Sequence, residues 1–261
     1  MSENSGSTST NIFVAKLSSY IDLSIEEHQV IEELTQNSMA FDEGQDIIFE
    51  SEKNSSAYLL QSGWAIRYKI VPDGGRQIIS YLLPGDIFGF RESLFELSDD
   101  SVQALTPVIV HCIPAENIAE ICDSHTNLSL AFTWARAREQ AILTEHIVRL
   151  GRRNAYERLG HLLLELLHRL QLVEKAGNSD YFLPLTQEVL ADTLGLSIVH
   201  VNRTLRKLRN DLMIELDPKT RRLRILDVDA LSEATGYDQS FLDQNEKPSR
   251  SPQDAIGFEE K

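Results

Sequence analysis

The 261-residue sequence predicts an α+β chain in three parts: a β-roll of short antiparallel strands, a long amphipathic helix, and a C-terminal winged helix-turn-helix. Three observations predict it. Residues 39–114 break into short β-rich runs punctuated by glycines 44, 63, 74, 75, 85 and 89. Residues 125–150 carry apolar positions at alternating spacings of four and three. Residues 186–210, TQEVLADTLGLSIVHVNRTLRKLRN, read as two short helices around a glycine turn, the second with one cationic face.

Taken in order, residues 1–10 are polar and expected to be disordered. A helix is expected near Ser24–Gln36, capped by Ser24, with Ile25, Val30, Ile31 and Leu34 apolar. The roll, residues 11–124 with its flanking helices, is carried by runs such as SSAYLLQSG, WAIRYKIV and RQIISYLL, and Pro72-Asp73-Gly74-Gly75 is its clearest hairpin turn. Helical texture returns at Pro114, with a short helix Ala115–Cys122 and a long one, His125–Leu150. In the long helix Leu130, Trp134, Ala137, Ala141, Thr144 and Val148 form a heptad seam, and Phe132, Ala135 and Ile142 form a second stripe. Such a helix can pack on its own domain and on a second copy at once; the alternative is one broad face buried inside a monomer. Gly151-Arg152-Arg153-Asn154 interrupts it and marks the start of a C-terminal domain, 151–236. A leucine-faced helix, Ala155 to about Lys175, and a loop at Gly177–Asp180 lead to the helix pair. The acidic tail, 237–261, contains Pro248 and Pro252 and is expected to be mostly disordered.

The helix pair carries the chemistry. Thr186 can cap the first helix, whose apolar face is Val189, Leu190 and Leu194; Gly195 makes the turn; Ser197 can cap the second helix. There Val201, Leu205 and Leu208 face inward, opposite His200, Asn202, Arg203, Arg206, Lys207 and Arg209. A charged helix face is ordinarily just a solvated one. Here the chain has a net charge of −15 and a pI near 4.9, yet residues 197–224 hold eight Lys or Arg against three acids. That local reversal suits the phosphates of double-stranded DNA and confines contact to one module. The following MIELDPKTRRLRIL reads as a β-hairpin wing around Asp217–Thr220, with Arg221, Arg222 and Arg224 on its second strand. The candidate contact residues are Thr186, Gln187, Ser197, His200, Asn202, Arg203, Arg206, Lys207 and Arg221.

Other classes find little support. No apolar stretch is long enough to span a bilayer and the first ten residues lack a signal-peptide form, so a cytoplasmic protein without membrane attachment is expected. Cys112 and Cys122 fit a reducing compartment. Cys122-x-x-His125 and His111-Cys112 could ligate a metal or haem, but isolated pairs are weak signals, and no metal site is assigned. Nucleophile elbow, phosphate loop, paired metal-ligand histidines and glycine fingerprint are all lacking, so no enzymatic activity is expected. A pure interaction module using the acidic tail is a further alternative.

Taken together, EGQDIIFESEKNSSAYLLQSGWAIRYKIVPDGGRQIISYLLPGDIFG and LTQEVLADTLGLSIVHVNRTLRKLR resemble the cyclic-AMP receptor protein / fumarate-nitrate regulator (CRP/FNR) superfamily of bacterial transcription factors, up to about Asp229. The resemblance implies a cyclic-nucleotide-binding-like roll (a double-stranded jelly roll), homodimers joined along the long helix, near-palindromic operators and a signal sensed in the roll. Activation would also need a surface for RNA polymerase. Arg203 matches the family's guanine-reading arginine, and Ser197 and His200 match positions that touch phosphate or base edges. Many members place glutamate three residues before this arginine, where His200 stands, or four before by another count, where Val199 stands. On the preferred alignment Ile198 and Val199 replace a polar pair, which opens apolar contact with a thymine methyl.

The sensor departs further from the family. Gly85-Asp86 is kept, but Gly89 is followed by Phe90 and Arg91, and Asp99-Asp100-Ser101 lies where an Arg-Ser pair would grip a cyclic phosphate. Two carboxylates repel that anion, which argues against cyclic AMP, although Arg91 could compensate from another direction. The candidate effector pocket is Gly85, Gly89, Phe90, Arg91, Ser101 and Thr144; Thr144 loosely matches a hydroxyl that meets the nucleotide base across the dimer, or is a threonine tolerated at a seam. No cysteine precedes Cys112, which excludes the usual iron–sulfur cofactor. The effector, haem included, stays open, as does a ligand-free regulator with Phe88 and Phe90 filling the pocket.

Overall fold

A computed structural model describes residues 11–90, 97–173 and 175–242. The expected disorder of residues 1–10, and of the tail beyond 242, lies outside that range. The chain begins with α1 (Ile12–Ser18), a helix too short for periodicity to reveal. Asn11 caps it, and Phe13, Val14 and Leu17 are buried. α2 (Ile25–Leu34) starts in a capping box: Ser24 Oγ accepts from the Glu27 amide and Glu27 from the Ser24 amide. Ile25 is exposed, against expectation, because Glu27 takes the inward position of the first turn. The Glu27 carboxylate accepts from the Asn127 and Leu128 amides at 3.1 and 3.2 Å and so caps the long helix as well. Burial pushes the Glu27 carboxyl upward, but these hydrogen bonds outweigh it and hold the group below its ordinary range.

The roll is eight strands: β1 (Ser38–Phe41), β2 (Asp46–Ile48), β3 (Ser56–Ser62), β4 (Ala65–Ile70), β5 (Arg76–Leu82), β6 (Ile87–Phe88), β7 (Ser101–Ala104) and β8 (Val108–Pro114). They form two antiparallel sheets, ordered β1-β8-β3-β6 and β2-β7-β4-β5. Ile48, Leu60, Leu82, Phe88, Val102, Val108 and Val110 pack together as the filling of the roll. The predicted hairpin turn joins β4 to β5, with Gly74 at φ +87°. At Gly63 (φ +83°) a Cβ would lie 2.2 Å from the Pro107 carbonyl, so only glycine fits.

Helices α3 (Ala115–Ser124) and α4 (Thr126–Arg152) come next. α4 runs through Gly151 and Arg152 rather than ending at 150; the break falls at Arg153, which is extended, because Asn154 opens a new capping box with Glu157. α5 (Ala155–Gln171) then buries Leu159, Leu162, Leu163, Leu166, Leu167 and Leu170, as its pattern requires. The C-terminal domain continues with β9 (Asp180–Phe182), α6 (Gln187–Leu194), α7 (Ile198–Asn210), β10 (Ile214–Leu216), β11 (Arg222–Ile225) and α8 (Val228–Thr235). The wing is three strands, ordered β10-β11-β9; β9 begins inside the predicted loop. Arg221 sits just before β11 at φ +52°, not on the strand.

The sequence pattern also missed α8 and the short segment after it. Asp227 caps α8, and Gly236 ends it in the left-handed conformation. Residues 237–242, expected to be mostly disordered, are packed: Tyr237 and Leu242 are buried, and a 3₁₀ turn spans Gln239–Phe241. The Tyr237 ring meets His161 edge-on at 4.8 Å and stacks on His168 at 5.4 Å. Three aromatic or apolar residues in six, without periodicity, gave no signal. α8 packs on α5 at Gly160, where a Cβ would fall 2.5 Å from Thr235 Cγ2 and 3.1 Å from Leu231 Cδ1. Thr235 cannot yield by rotating, because its Oγ1 donates to the Leu231 carbonyl at 2.8 Å. Helix propensity alone would reward a larger residue by about 1 kcal/mol. The clash should win, so Gly160→Val should lower stability by about 1–3 kcal/mol in denaturant titration.

Candidate nucleic-acid interface

α6 and α7 are set by three local devices. Thr186 Oγ1 accepts from the Val189 amide at 3.2 Å, Gly195 turns the chain at φ +60°, and Ser197 Oγ accepts from the His200 amide at 3.2 Å. α7 buries Val201, Thr204, Leu205 and Leu208. The α7 face at Ser197, His200, Arg203, Arg206, Lys207 and Arg209 is exposed. Asn202 is half-buried, and its Nδ2 donates to Gln187 Oε1 at 3.1 Å, so two expected contact residues also lock α6 to α7. Lys207 Nζ lies 4.9 Å above the Tyr156 ring. Burial, together with Asp211, pushes the Tyr156 phenol up to about 12.

Within the described residues, Arg203 and Arg206 make no ion pair and donate no side-chain hydrogen bond. In a chain of net charge −15 these are cations held available for an outside anion. The wing arginines differ. Arg222 pairs with Asp180, and Arg224 approaches Glu215 at 3.9 Å. Arg221 reaches the Pro184 carbonyl at 3.5 Å and remains exposed. Beside Arg203, Val199 is 68% exposed and Ile198 49%, apolar side chains on the outer face of the most basic helix.

The six candidate effector residues do not converge. Gly85 (φ +88°) forms the turn that places Asp86. Asp86 is no open ligand: it accepts from the Leu83 amide at 2.7 Å, from Arg169 Nη2 at 2.9 Å and from Lys16. Gly89 (φ +72°) lies against the Ser56 carbonyl, where a Cβ would sit at 2.9 Å. The Phe90 ring tilts against Phe132 at 6.3 Å, and Gly85 and Phe90 line one cleft. Ser101 Oγ is used by the Glu50 amide at 3.0 Å. Thr144 is exposed on the outer face of α4 and donates to the Gln140 carbonyl of its own helix at 2.9 Å. Arg91 falls outside the described residues. Where a cyclic phosphate would need a cation, Arg67 Nη1 is 2.5 Å from Glu139 Oε1 and its Nε is 3.5 Å from Asp100. Arg136 also lies 2.5 Å from Glu139. A cation is present, but two carboxylates already hold it.

The two faces of α4 separate as the double stripe requires. Leu128, Ala131, Phe132 and Ile142 are buried against the rest of the chain. Ala137, Thr144 and Val148 are exposed, Leu130, Trp134 and Ala141 are half-buried, and Ile147 is 70% exposed.

Between roll and C-terminal domain runs a buried polar junction that the sequence did not disclose. Arg149 (α4) donates to Glu165 (α5) and approaches His161 Nδ1 at 3.1 Å. Arg169 (α5) donates to Glu165 at 3.3 Å, to the Tyr81 carbonyl at 2.7 Å and to Asp86. β5 also docks on α6: Arg76 Nε to Asp192 at 2.8 Å, and Tyr81 to the Thr193 hydroxyl at 2.5 Å. Burial, reinforced by Arg149, pushes His161 down to about 3 and His146 down to about 4.

The chain matches the Crp-like helix-turn-helix domain over residues 157–234 and the cyclic nucleotide-binding domain over residues 38–125. With the roll, long helix and winged pair in that order, it belongs to the CRP/FNR family and is a DNA-binding transcription regulator with a sensor domain. Among its relatives is the transcriptional activatory protein AadR of Rhodopseudomonas palustris, 31% identical over 212 residues, covering 80% of this chain and 86% of that one. Another is the nitrogen fixation regulation protein FixK of Rhizobium meliloti, 31% identical over 175 residues, covering 66% of this chain and 75% of that one. The structure of FixK2 from Bradyrhizobium japonicum shares the fold, with a TM-score of 0.68 at 24% identity over 76% of this chain and 96% of that one. No described helix is long and apolar enough to cross a membrane.

The two buried imidazoles set an acid sensitivity. In the unfolded chain they protonate near pH 6.5, whereas folded they stay neutral until about 4 and 3. The unfolded state therefore binds more protons below pH 6.5, and stability falls as pH drops from there toward 4. Denaturant midpoints measured at pH 7, 6 and 5 should decrease in that order. His161→Gln, which cannot protonate, should flatten the decrease.

Proposed function

We propose that the chain works as a homodimer that binds near-palindromic double-stranded DNA and regulates transcription according to the state of its roll. The observation that carries this is the pair of uncommitted guanidinium groups, Arg203 and Arg206, on a helix whose other faces are fixed by caps and core. An arginine fork can bond O6 and N7 of guanine together, and Arg203 is given that role. Val199 and Ile198 would rest against a thymine methyl beside that guanine. Thr186, Gln187, Ser197, His200, Asn202, Arg206, Lys207 and Arg221 would follow the neighbouring backbone and base edges.

The outer face of α4, with Ala137, Ala141, Thr144, Ile147 and Val148, is the face on which two copies would pair. Pairing there would set two recognition helices about 34 Å apart, one turn of the duplex. The division into a sensor (11–124), a dimerisation helix (125–150) and a DNA-binding domain (151–236) follows the same assignment. Cyclic AMP and an iron–sulfur cluster fit the chain poorly, the first because Asp100 and Glu139 occupy Arg67, the second for want of cysteines. The protein is read as a regulator without enzymatic activity, acting in the cytoplasm. If it activates, it does so through a surface for RNA polymerase.

Selection of bound sites from random duplexes should return a two-fold-related sequence with guanine in each half. Arg203→Ala should lose that preference, at a cost of about 1–3 kcal/mol per half-site, and keep the dimer seen by sedimentation. An unchanged sequence preference in that variant would overturn the role given to Arg203. Replacing the thymine nearest that guanine by deoxyuridine removes only the methyl group. It should weaken wild-type binding several-fold and leave Val199→Ser unaffected.

A further inference from the structure

We infer that the cleft between α1, the β5–β6 turn, α4 and α5 is a binding site for a small organic carboxylate with an apolar body. The signal is Arg138. Its side chain is buried, with the residue only 6% exposed, on the face of α4 opposite the proposed seam. It makes no ion pair or hydrogen bond among the described residues; its guanidinium carbon lies 5.9 Å from the centre of the Tyr20 ring. A buried guanidinium without an anion is costly, and proteins retain such groups where an anion visits. Beside it Ser80, 8% exposed, has a buried hydroxyl with no hydrogen-bond partner among the described residues. Both side chains line the cleft.

The charge balance identifies the ligand class. Lys16, Arg136, Arg138 and Arg169 line the cleft with Asp86 and Glu139. Asp86 is shared by Lys16 and Arg169, and Glu139 by Arg136 and Arg67. Arg138 is the cation left over, which calls for a single negative charge. The fork of a guanidinium, its plane steadied by an aromatic ring, matches a carboxylate through two parallel hydrogen bonds. The rest of the wall, Leu17, Ile87, Phe90, Phe132 and Ile142, is apolar and suits a hydrocarbon or aromatic body. The cleft is separate from the place a cyclic phosphate would occupy, where Arg67, Asp100 and Glu139 are joined. It is walled by the sensor, the long helix and, through Arg169 and Leu172, the DNA-binding domain. A molecule bound there touches all three parts and can bias their arrangement. That regulatory consequence rests on the DNA-binding reading; the binding itself does not.

The test is thermal unfolding of the full chain with benzoate and hexanoate, against benzamide, hexanamide and inorganic phosphate. The acids should raise the melting temperature by about 2 °C or more at concentrations well above Kd, while the amides and phosphate leave it unchanged. Arg138→Met should abolish the response and Ser80→Ala should weaken it. Should Arg138→Met fail to fold, Arg138→Lys, which keeps the charge and loses the fork, takes its place with a reduced response expected. Equal shifts from acids and amides, equal shifts from phosphate, no shift from either acid, or a wild-type response in every variant would overturn the inference. Because melting needs no DNA, failure of this site and failure of the DNA-binding reading are told apart. Where the acids bind, they should also change affinity for the selected duplex.

Discussion

The ion pair between Arg149 and Glu165 is the constraint on which the arrangement of the chain depends. Both residues are almost wholly buried, one on the long helix and one on the first helix of the DNA-binding domain. Neither charge could stay there alone: removing one partner of such a pair commonly costs about 3–5 kcal/mol, because the other is left without water or counter-charge. Arg169 extends the pair to Asp86 in the roll, and Asp86 extends it to Lys16 on α1. Burial would push the Glu165 and Asp86 carboxyls up, but their cationic neighbours hold both below the ordinary range. One run of alternating charge thus fixes sensor, long helix and DNA-binding domain to each other. Apolar contacts tolerate sliding; these do not, since a shift of an ångström or two leaves buried charges unmatched. The junction therefore favours discrete arrangements of the domains over a continuum.

That property bears on regulation. The helix that reads DNA hangs from α5, and α5 is held by groups reporting on the roll. β5 adds a direct contact through Tyr81 and Thr193 and through Arg76 and Asp192. A change in the roll can therefore reach α6 without passing along the whole of α4. The Arg67–Glu139 pair offers a second route, from β4 to the middle of the long helix. Tight coupling by several short paths suits a protein whose output is the spacing of two rigid helices.

Much of this was legible in the sequence, for identifiable reasons. The roll shows because its turns need glycines with positive φ, and Gly63, Gly74 and Gly85 all have it. The helix pair shows because caps and core obey fixed spacings: Thr186, Gly195 and Ser197 do what their residue types suggest. The double stripe of α4 shows because 27 residues give periodicity room to repeat. What escaped is short or non-local. α1 and α8 span two turns each, too little for a pattern. Ile25 was misplaced because a buried glutamate, useful as a cap for a helix 100 residues away, breaks the rule that apolar positions face inward. The effector candidates scattered because Ser101 and Thr144 hydroxyls serve neighbouring backbone, a use no motif records. The charge junction was invisible for the same reason. Arg149, Glu165 and Arg169 are ordinary residues on amphipathic helices until the fold brings them together.

The packing of Tyr237 and Phe241 on His161 has a practical corollary. The last described residues lie against α5 and next to α4, far along the chain from the wing that precedes them. Any mass appended at the C-terminus, whether a purification handle, a fluorescent reporter or a natural extension, is anchored at the joint between sensing and DNA-reading halves. Reporter fusions meant to leave the regulator undisturbed are better attached at the opposite terminus.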